Sequence, residues 1–502
     1  MQGERRMRAH VAVIGGGPVG MLLACELAGY GVDTVLLEAR AGVSGRPKAT
    51  VLHARAVQCL ARRGHLPGPA APCARAGAGR PFHFAGLPGL VITAPDGEPE
   101  PILRCPQAEL ERHFERRARA AGARVLRGYR VSEVVEEGGG VRVEAVGPGG
   151  VPAVCLVRYV VGADGARSTV RARARIPCET RAATVSALTG AVTLTDPHAL
   201  AEGWQRTARG WIACKREPGG RTHIRTLNCA GAHPDRSAPP TLEELRGEVS
   251  WLAGRDIAMR DACWLGRFSD FTRLAGTFRA GRVFLAGDAA HVHFPIGGQG
   301  LSTGVLDALN LGWKLALAVR GAAGAGLLDT YDAERRPVAR RVIDNTQAQL
   351  ALMRPGCELD ALRTVFAGLM AAGREGGQRL GSMISAQDTV LPDHTSGPGP
   401  AAGTFLDNVV LATAAGERDV IQLLQEGKPL LLLFGEKDSG HRDQARAWAG
   451  TLKVVRARAV AGVPYEAVLV RPDGYLAWTS GGRGLQEALS VYFAKDAPPG
   501  GS

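Results

Sequence analysis

The residues with the clearest chemistry to offer lie near the start, in "HVAVIGGGPVGMLLACELAGYGVDTVLLEA" (His10–Ala39). Gly15, Gly17 and Gly20 have the spacing G-x-G-x-x-G, between an apolar strand and an amphipathic helix. The first glycine permits a tight turn, the second lets backbone approach a diphosphate, and the third lets the helix pack closely on the strand. A diphosphate would sit at the helix N-terminus, where unpaired N–H groups and the helix dipole favour an anion. Glu38 closes the next strand, where a carboxylate can accept from ribose hydroxyls. Glycines alone would say little; with both strands and the acid in place they predict a dinucleotide site.

Two later stretches repeat the strand-to-turn design. "VRYVVGADGARSTVR" (Val157–Arg171) delivers Asp164 and Gly165 to a turn before a short helix. "GRVFLAGDAAHVHFPIGGQGLSTGVLDALNLGWKLA" (Gly281–Ala316) delivers Gly287 and Asp288 in the same way, then runs through a nearly bare turn into a helix. No second strand–GxGxxG–helix unit follows; "RGAAGAG" (Arg320–Gly326) comes after a helix and reads as a helix end. A redox cysteine pair is missing too, so the pattern favours one long flavin cofactor, FAD, over a pyridine-nucleotide disulfide reductase. Asp288 would then bind ribityl hydroxyls, with a helix N-cap as its alternative role. His291 and His293 lie two apart with no third ligand nearby, so no metal site is expected.

The elements that must position these residues need more than one core: 502 residues fit two or three domains. The formal charge of +13 comes mostly from arginines interleaved with acids, as in "PQAELERHFERRARAAG". That pattern belongs to solvated helix faces and argues against nucleic acid; an electropositive groove for a small anion or nucleotide is the better use of it. No apolar run approaches membrane-spanning length, and no secretory leader is expected from "MQGERRMRAH". Ten cysteines without a C-x-x-C point to a reducing, cytoplasmic setting and away from a zinc ribbon. "TVSALTGAVTL", "GWIACKREPGG" and "RTHIRTLNCAG" alternate and break at glycines, reading as strands of an antiparallel sheet. Over a flavin such a sheet forms one wall of a pocket, with Trp204, Trp211, His223 and Arg225, and His293 and Phe294 from the later turn, as candidate substrate contacts.

Taken together, the glycine fingerprint, "GADGARSTVR" and "GRVFLAGDAAHVHFPIGGQG" resemble the single-component FAD-dependent aromatic hydroxylases, the class of para-hydroxybenzoate hydroxylase. "GQGLSTGVLDALNLGWKLA" and the long C-terminal part resemble the subset that tailors aromatic polyketides such as angucyclines, anthracyclines and tetracyclines. The resemblance implies an α/β fold: a Rossmann-like FAD-binding domain, an antiparallel-sheet substrate domain and a C-terminal thioredoxin-like domain. The corresponding segments are 1–175, with a substrate-side insertion near 70–105, then 176–271, 272–384, a linker at 385–403, and 404–502. No cysteine follows Cys357, so the last domain has no thiol redox work and is left with a structural role, homodimer formation included.

Carried over by position, Gly15, Gly17, Pro18, Val19, Gly20, Glu38 and Ala39 match ADP-binding positions. Arg46 and Lys48 match a basic pair near the diphosphate, although the family commonly has Arg where Lys48 stands, and a point charge replaces a planar fork. Gln107 matches a cofactor contact at a helix start; Asp164 and Gly165 match a motif shared between flavin and pyridine nucleotide. Gly287 and Asp288 match the ribityl site, Pro295 the proline beside the isoalloxazine, and Gly297, Gly298, Gly300 and Leu301 the backbone against the flavin's pyrimidine end. His291 matches a structural histidine. Ser302 and Leu306 replace an Asn and a Gln usual in the family. The implied reaction uses transiently bound NADPH, dioxygen and a flavin C4a-hydroperoxide to hydroxylate an aromatic polyketide, with Baeyer–Villiger insertion or oxidative rearrangement as the alternative.

Overall fold

Four buried apolar runs that are distant in the chain lie side by side. In the computed structural model, which describes residues 4–67, 79–217, 219–235, 238–371, 374–395, 397, 399–434, 440–458, 463–482 and 484–496, they form the centre of a six-stranded sheet. Its order is Arg279–Ala280, Val283–Leu285, Tyr159–Gly162, Val11–Ile14, Thr34–Glu38 and Arg124–Arg127. All neighbours are parallel except the first pair. Val-, Ile- and Leu-rich strands buried on both faces are what a parallel sheet covered by helices requires. The helix Pro18–Gly29 packs against Gln107–Ala120 and against Gln299–Val319. A Cβ on Gly304 would come within 2.7 Å of Val19, and one on Gly312 within 2.8 Å of Glu26. Those two glycines set how closely the helices cross.

A five-stranded antiparallel sheet stands apart, in the order Gly203–Thr207, Gly210–Arg216, Thr222–Asn228, Ser186–Leu194, Met259–Ser269. One face packs Leu188, Val192, Ile212 and Ile224 against Leu245, Val249 and Leu252 of the helix Leu242–Ala253. Of the insertion expected near 70–105, residues 70–78 lie outside the described residues, and a hairpin, Arg80–Phe84 with Leu87–Ile92, follows. "RGAAGAG" does follow a helix end, with Arg320 as the C-cap and Gly321 at φ +74°.

The C-terminal sheet has the order Gly416–Asp419, Val410–Thr413, Lys453–Ala457, Leu430–Phe434, Ala467–Val470, Leu476–Thr479. Leu430–Phe434 is parallel to Lys453–Ala457 and antiparallel to Ala467–Val470, and the last two strands form a hairpin that turns through Pro472–Gly474. The segment expected as a linker is packed. Ser385, Thr389 and Leu391 are buried, and the Leu391 N–H donates to the Gly403 carbonyl at 2.8 Å. Its glycines serve tight turns, with Gly399 at φ +88° and Gly403 at φ +80°, so a composition typical of slack chain makes a close fit here.

The hairpin tip is driven into the half of the molecule that carries the parallel sheet. Glu334 accepts from Lys314 at 2.7 Å, from both terminal nitrogens of Arg471 at 2.8 Å, and pairs with His394 at 3.0 Å. Asp473 accepts from Arg471, Asn310 and Trp313. Burial pushes the Glu334 carboxyl upward, yet Arg471 and Lys314 outweigh it and hold the group well below the usual carboxylate range. Glu334→Ala leaves two buried cations without their shared acid, an expected loss of about 3–5 kcal/mol. Urea unfolding checks this; an unchanged midpoint would mean that Asp473 alone satisfies both cations.

Candidate active site

Strand order brings the three sequence motifs together. Val11–Ile14, Thr34–Glu38, Tyr159–Gly162 and Val283–Leu285 are neighbours and run the same way, so Gly15, Glu38, Asp164 and Gly287 all emerge at one carboxyl edge. Open α/β sheets bind ligands at that edge. Gly15 has φ +109°, and a Cβ there would lie 2.3 Å from the Ala163 carbonyl oxygen. A Cβ on Gly20 would lie 2.0 Å from the Gly15 carbonyl oxygen, while one on Gly17 would meet nothing. Two of the glycines are therefore needed for packing, and the third leaves open space before an N-terminus with Pro18 in its first turn and no side-chain cap. Val19 packs under Gly287, whose own Cβ would approach it to 3.2 Å.

Glu38 accepts from the Gly16 N–H at 2.5 Å and the Arg40 N–H at 2.7 Å, which fixes its carboxylate, with Ala39 between them, at the strand end. Arg46 and Lys48 are exposed on the following segment. The Gln107 N–H donates to the Ala49 carbonyl at 3.0 Å, which brings Gln107 beside Lys48. Pro106 is the N-cap of that helix. Asp164 Oδ2 accepts from the Thr169 and Val170 N–H groups at 2.7 and 3.2 Å, while Oδ1 is buried without a partner. Burial raises the Asp164 pKa, against the hydrogen bonds from Ser168 and the helix start. Gly165, at φ +82°, turns the chain there.

Asp288 is exposed in the short turn Gly287–Ala289, and its carboxylate caps no helix. The alternative role expected for it is thus absent, because the long helix begins at Gln299, capped by the backbone of Gly298. Gly297 and Gly298 are both left-handed, at φ +71° and +64°, a conformation that suits glycine. A Cβ on Gly298 would meet only His53, at 3.7 Å, so the space over this turn is open. Exposed Pro295 precedes the turn; Gly300 and Leu301, both half-buried, follow it.

Two residues near this turn, His53 and Asp307, are not among the candidates read from the sequence. His53 is buried; its Nε2–H donates to the Gly297 carbonyl at 2.8 Å, and its Nδ1 has no partner among the described residues. Burial pushes its pKa down to about 4, more than the Gly297 carbonyl raises it, so the ring is neutral. Asp307 is the hub beneath: it accepts from the Gly287 N–H at 3.0 Å and from Arg335 at 2.8 Å, and pairs with His291 at 2.7 Å. Burial pushes Asp307 up, but Arg335 and His291 prevail and keep it ionised. An acid amid the apolar residues of "GVLDALNLG" was the available clue, since such a charge must be paired. His293 donates Nδ1–H to the Phe294 carbonyl at 2.9 Å, and burial lowers its pKa to about 4. Among the described residues no group of three or more His, Cys, Asp or Glu is placed to hold a metal ion.

The face of the antiparallel sheet turned to this site is aromatic. His53, Phe82, His83, Trp204 and Trp211 form a chain of ring contacts with centroids 4.9–6.1 Å apart. Trp211 and Phe294 are buried behind the surface, and the Trp211 indole donates to the Met353 carbonyl at 2.6 Å. His223 pairs with the Thr189 hydroxyl at 3.0 Å and meets Trp264 edge-on. Phe268 lies 5.9 Å from Phe294, which joins the sheet to the bare turn.

The buried orphan atoms, the open space at Gly17 and Gly298, and a helix start at each end of one carboxyl edge fit a long dinucleotide such as FAD. Comparisons with known proteins agree. Residues 8–346 match the FAD binding domain family, and residues 399–495 match the C-terminal domain of aromatic-ring hydroxylases. A Streptomyces rimosus protein, 12-dehydrotetracycline 5-monooxygenase/anhydrotetracycline 6-monooxygenase, is 36% identical over 510 residues, covering 98% of this chain and all of that protein. The solved structure of OxyS anhydrotetracycline hydroxylase from the same organism superposes with a TM-score of 0.88 at 35% identity, covering 98% of this chain and 100% of that one. CabE, an aromatic hydroxylase from angucycline biosynthesis, gives 0.87 at 35%, covering 97% and 99%. The geometry of this edge and the two family matches lead to one conclusion: the chain belongs to the single-component FAD-dependent aromatic-ring hydroxylases, and is a flavin-dependent monooxygenase.

Proposed function

We propose that this enzyme hydroxylates a ring of an aromatic polyketide, using NADPH and dioxygen. The observation that carries the reading is the meeting of the three nucleotide motifs at one sheet edge, beneath an aromatic sheet face. In this reading the diphosphate rests on the N–H groups after Gly17, Glu38 takes the adenosine ribose, and Arg46 and Lys48 balance the phosphate charge. Gln107 and the free Oδ1 of Asp164 contact the cofactor's middle, and Asp288 binds ribityl hydroxyls. FAD, when bound, would take hydride from NADPH and activate dioxygen, one oxygen atom going to the substrate ring and the other leaving as water.

The chain's own work is then positioning and exclusion of water. Gly297, Gly298, Gly300 and Leu301 present bare backbone to the flavin ring, and the uncapped helix start at Gln299 favours negative charge at the ring's pyrimidine edge. His53 holds the Gly297 carbonyl and so fixes the turn. His293, neutral in its buried setting, forms wall beside Gly300. The unpaired state of the described cysteines supports a reducing, cytoplasmic setting, and among the described residues no helix is long and apolar enough to cross a membrane.

The deciding experiment supplies FAD-loaded protein with NADPH, labelled dioxygen and a panel of phenolic polyketides. A product gaining one labelled oxygen that survives alkali is a phenol, whereas a lactone from Baeyer–Villiger insertion opens. NADPH oxidation without any labelled product would defeat the reading. Two substitutions test the cofactor contacts. Asp288→Ala should weaken FAD by about 1.5–3 kcal/mol, the range for hydrogen bonds to a charged group. With no cap to lose, the FAD-free variant should keep the urea midpoint of FAD-free wild type; an unchanged FAD dissociation constant would remove Asp288 from the site. Gly298→Val should retain the adenine end of FAD but displace the ring, so that hydrogen peroxide rises and product per NADPH falls. Wild-type coupling in that variant would show that the ring lies elsewhere.

A further inference from the structure

The sheet face over the site has an arginine at its centre. Strand register places Trp204, Ala213, Arg225, Thr189 and Gly266 in one row across the five strands. The next row towards the bare turn is Arg206, Trp211 and Leu227, whose Trp and Leu pack with Phe294 and Ile296. The next row away is Lys215, His223, Ala191 and Trp264. Immediately beside Arg225 its row holds only the small residues Ala213 and Thr189, with Trp204 and Gly266 at the two ends, so the space directly above the guanidinium is lined by small side chains. Trp204, Trp211 and Trp264 stand around that space.

Among the described residues Arg225 makes no ion pair and no hydrogen bond, although it is on the face nearest the chemistry. Water reaches its side chain, yet surrounding protein lowers its pKa by desolvation, with no acid to offset that cost. His223 next to it is neutral, its pKa pushed down to about 4 by burial and by Arg225 and Lys215. A partly enclosed guanidinium without an acid is a standing site for an anion. Its planar fork selects two oxygens in one plane, and it stays charged at every working pH.

We propose that Arg225 anchors the substrate through a planar, anionic pair of oxygens, the enolate of a 1,3-dicarbonyl or a carboxylate, carried on the end of the polycycle remote from the flavin. The row that contains Arg225 is one side-chain repeat, about 7 Å, beyond the row that reaches Phe294. An elongated ring system therefore spans from the bare turn to Arg225, with its planes lying between the tryptophans. A single ring would reach one end or the other, so Arg225 selects for length as well as charge. This rests on the reading of the sheet as the substrate wall.

The test measures binding to oxidised, FAD-loaded enzyme through the change in flavin absorbance. The probes are anhydrotetracycline as the enolate, anthraquinone-2-carboxylate as the carboxylate, and 2-methylanthraquinone as the neutral ring. Arg225→Gln should weaken at least one acidic probe about tenfold or more, as loss of a charged hydrogen bond implies, and leave the neutral probe unchanged. Arg225→Lys should recover part of the loss and stands in if the Gln variant does not fold. Which acid responds identifies the oxygen pair. Equal weakening of acidic and neutral probes, no weakening at all, or wild-type enzyme that binds neither acid would overturn the proposal. Ala213→Phe fills the space beside Arg225 and should weaken all three probes, with Trp204→Ala as its substitute if it misfolds. If all probes bind that variant as they bind wild type, the sheet is not the substrate wall, and the underlying reading falls with it.

Discussion

The carbonyl oxygen of Ala163 lies 2.3 Å from where a side chain on Gly15 would begin, and the carbonyl of Gly15 lies 2.0 Å from the same point on Gly20. This contact ties the first strand, the first helix and the strand before Asp164 into one junction. Without it the helix N-terminus could not stand over the sheet edge, nor could Asp164 lie beside the glycine turn. The remaining glycine, Gly17, is spared from packing, and a side chain there would meet only open space. Crowding on one side of the turn and emptiness on the other are the same design.

Buried charge keeps that junction rigid. Asp307 ties the turn at Gly287 to His291 and Arg335, so the strand end, the short bridge after it and the two long helices share one acid. Glu334 does similar work between the helices and the C-terminal hairpin. Each network costs desolvation that its hydrogen bonds offset only with good geometry, so each specifies one arrangement rather than merely adding stability. The C-terminal hairpin joins the rest of the chain through the second network: Asp473 accepts from Trp313 of the helix Gln299–Val319, and Arg471 donates to Glu334 of the helix Asp329–Met353.

The wall opposite is built on a different principle. Its outer face is sealed by a helix and aliphatic residues, whereas its inner face exposes aromatic rings around Arg225, which has no acidic partner among the described residues. Parallel strands buried on both sides cannot offer such a surface, but an antiparallel sheet alternates and can. One sheet therefore gathers the glycine turns at its edge, and the other presents an aromatic face.

Much of this was legible in the chain. Strand–turn–helix units are local, so glycine spacing, apolar runs and a terminal acid report them directly, as at Gly15–Gly20 with Glu38 and at Gly287–Gly298. Alternation likewise marked the strands around Trp211 and Arg225, and the bare "PIGGQG" announced a surface needing contact without side chains. Tertiary structure decided what lies next to what. Only the fold makes Asp164 a neighbour of Gly15, sets His53 under Gly297 and buries Asp307 between His291 and Arg335, since those partners are separated by tens to hundreds of residues. It also packed the Pro- and Gly-rich stretch near Gly403, which composition alone describes as slack, because backbone hydrogen bonds to Leu391 and Leu476 were there to be made. The isolation of Arg225 is tertiary in the same sense: a sequence lists charges, but only the arrangement in space determines which of them is left without a counter-ion.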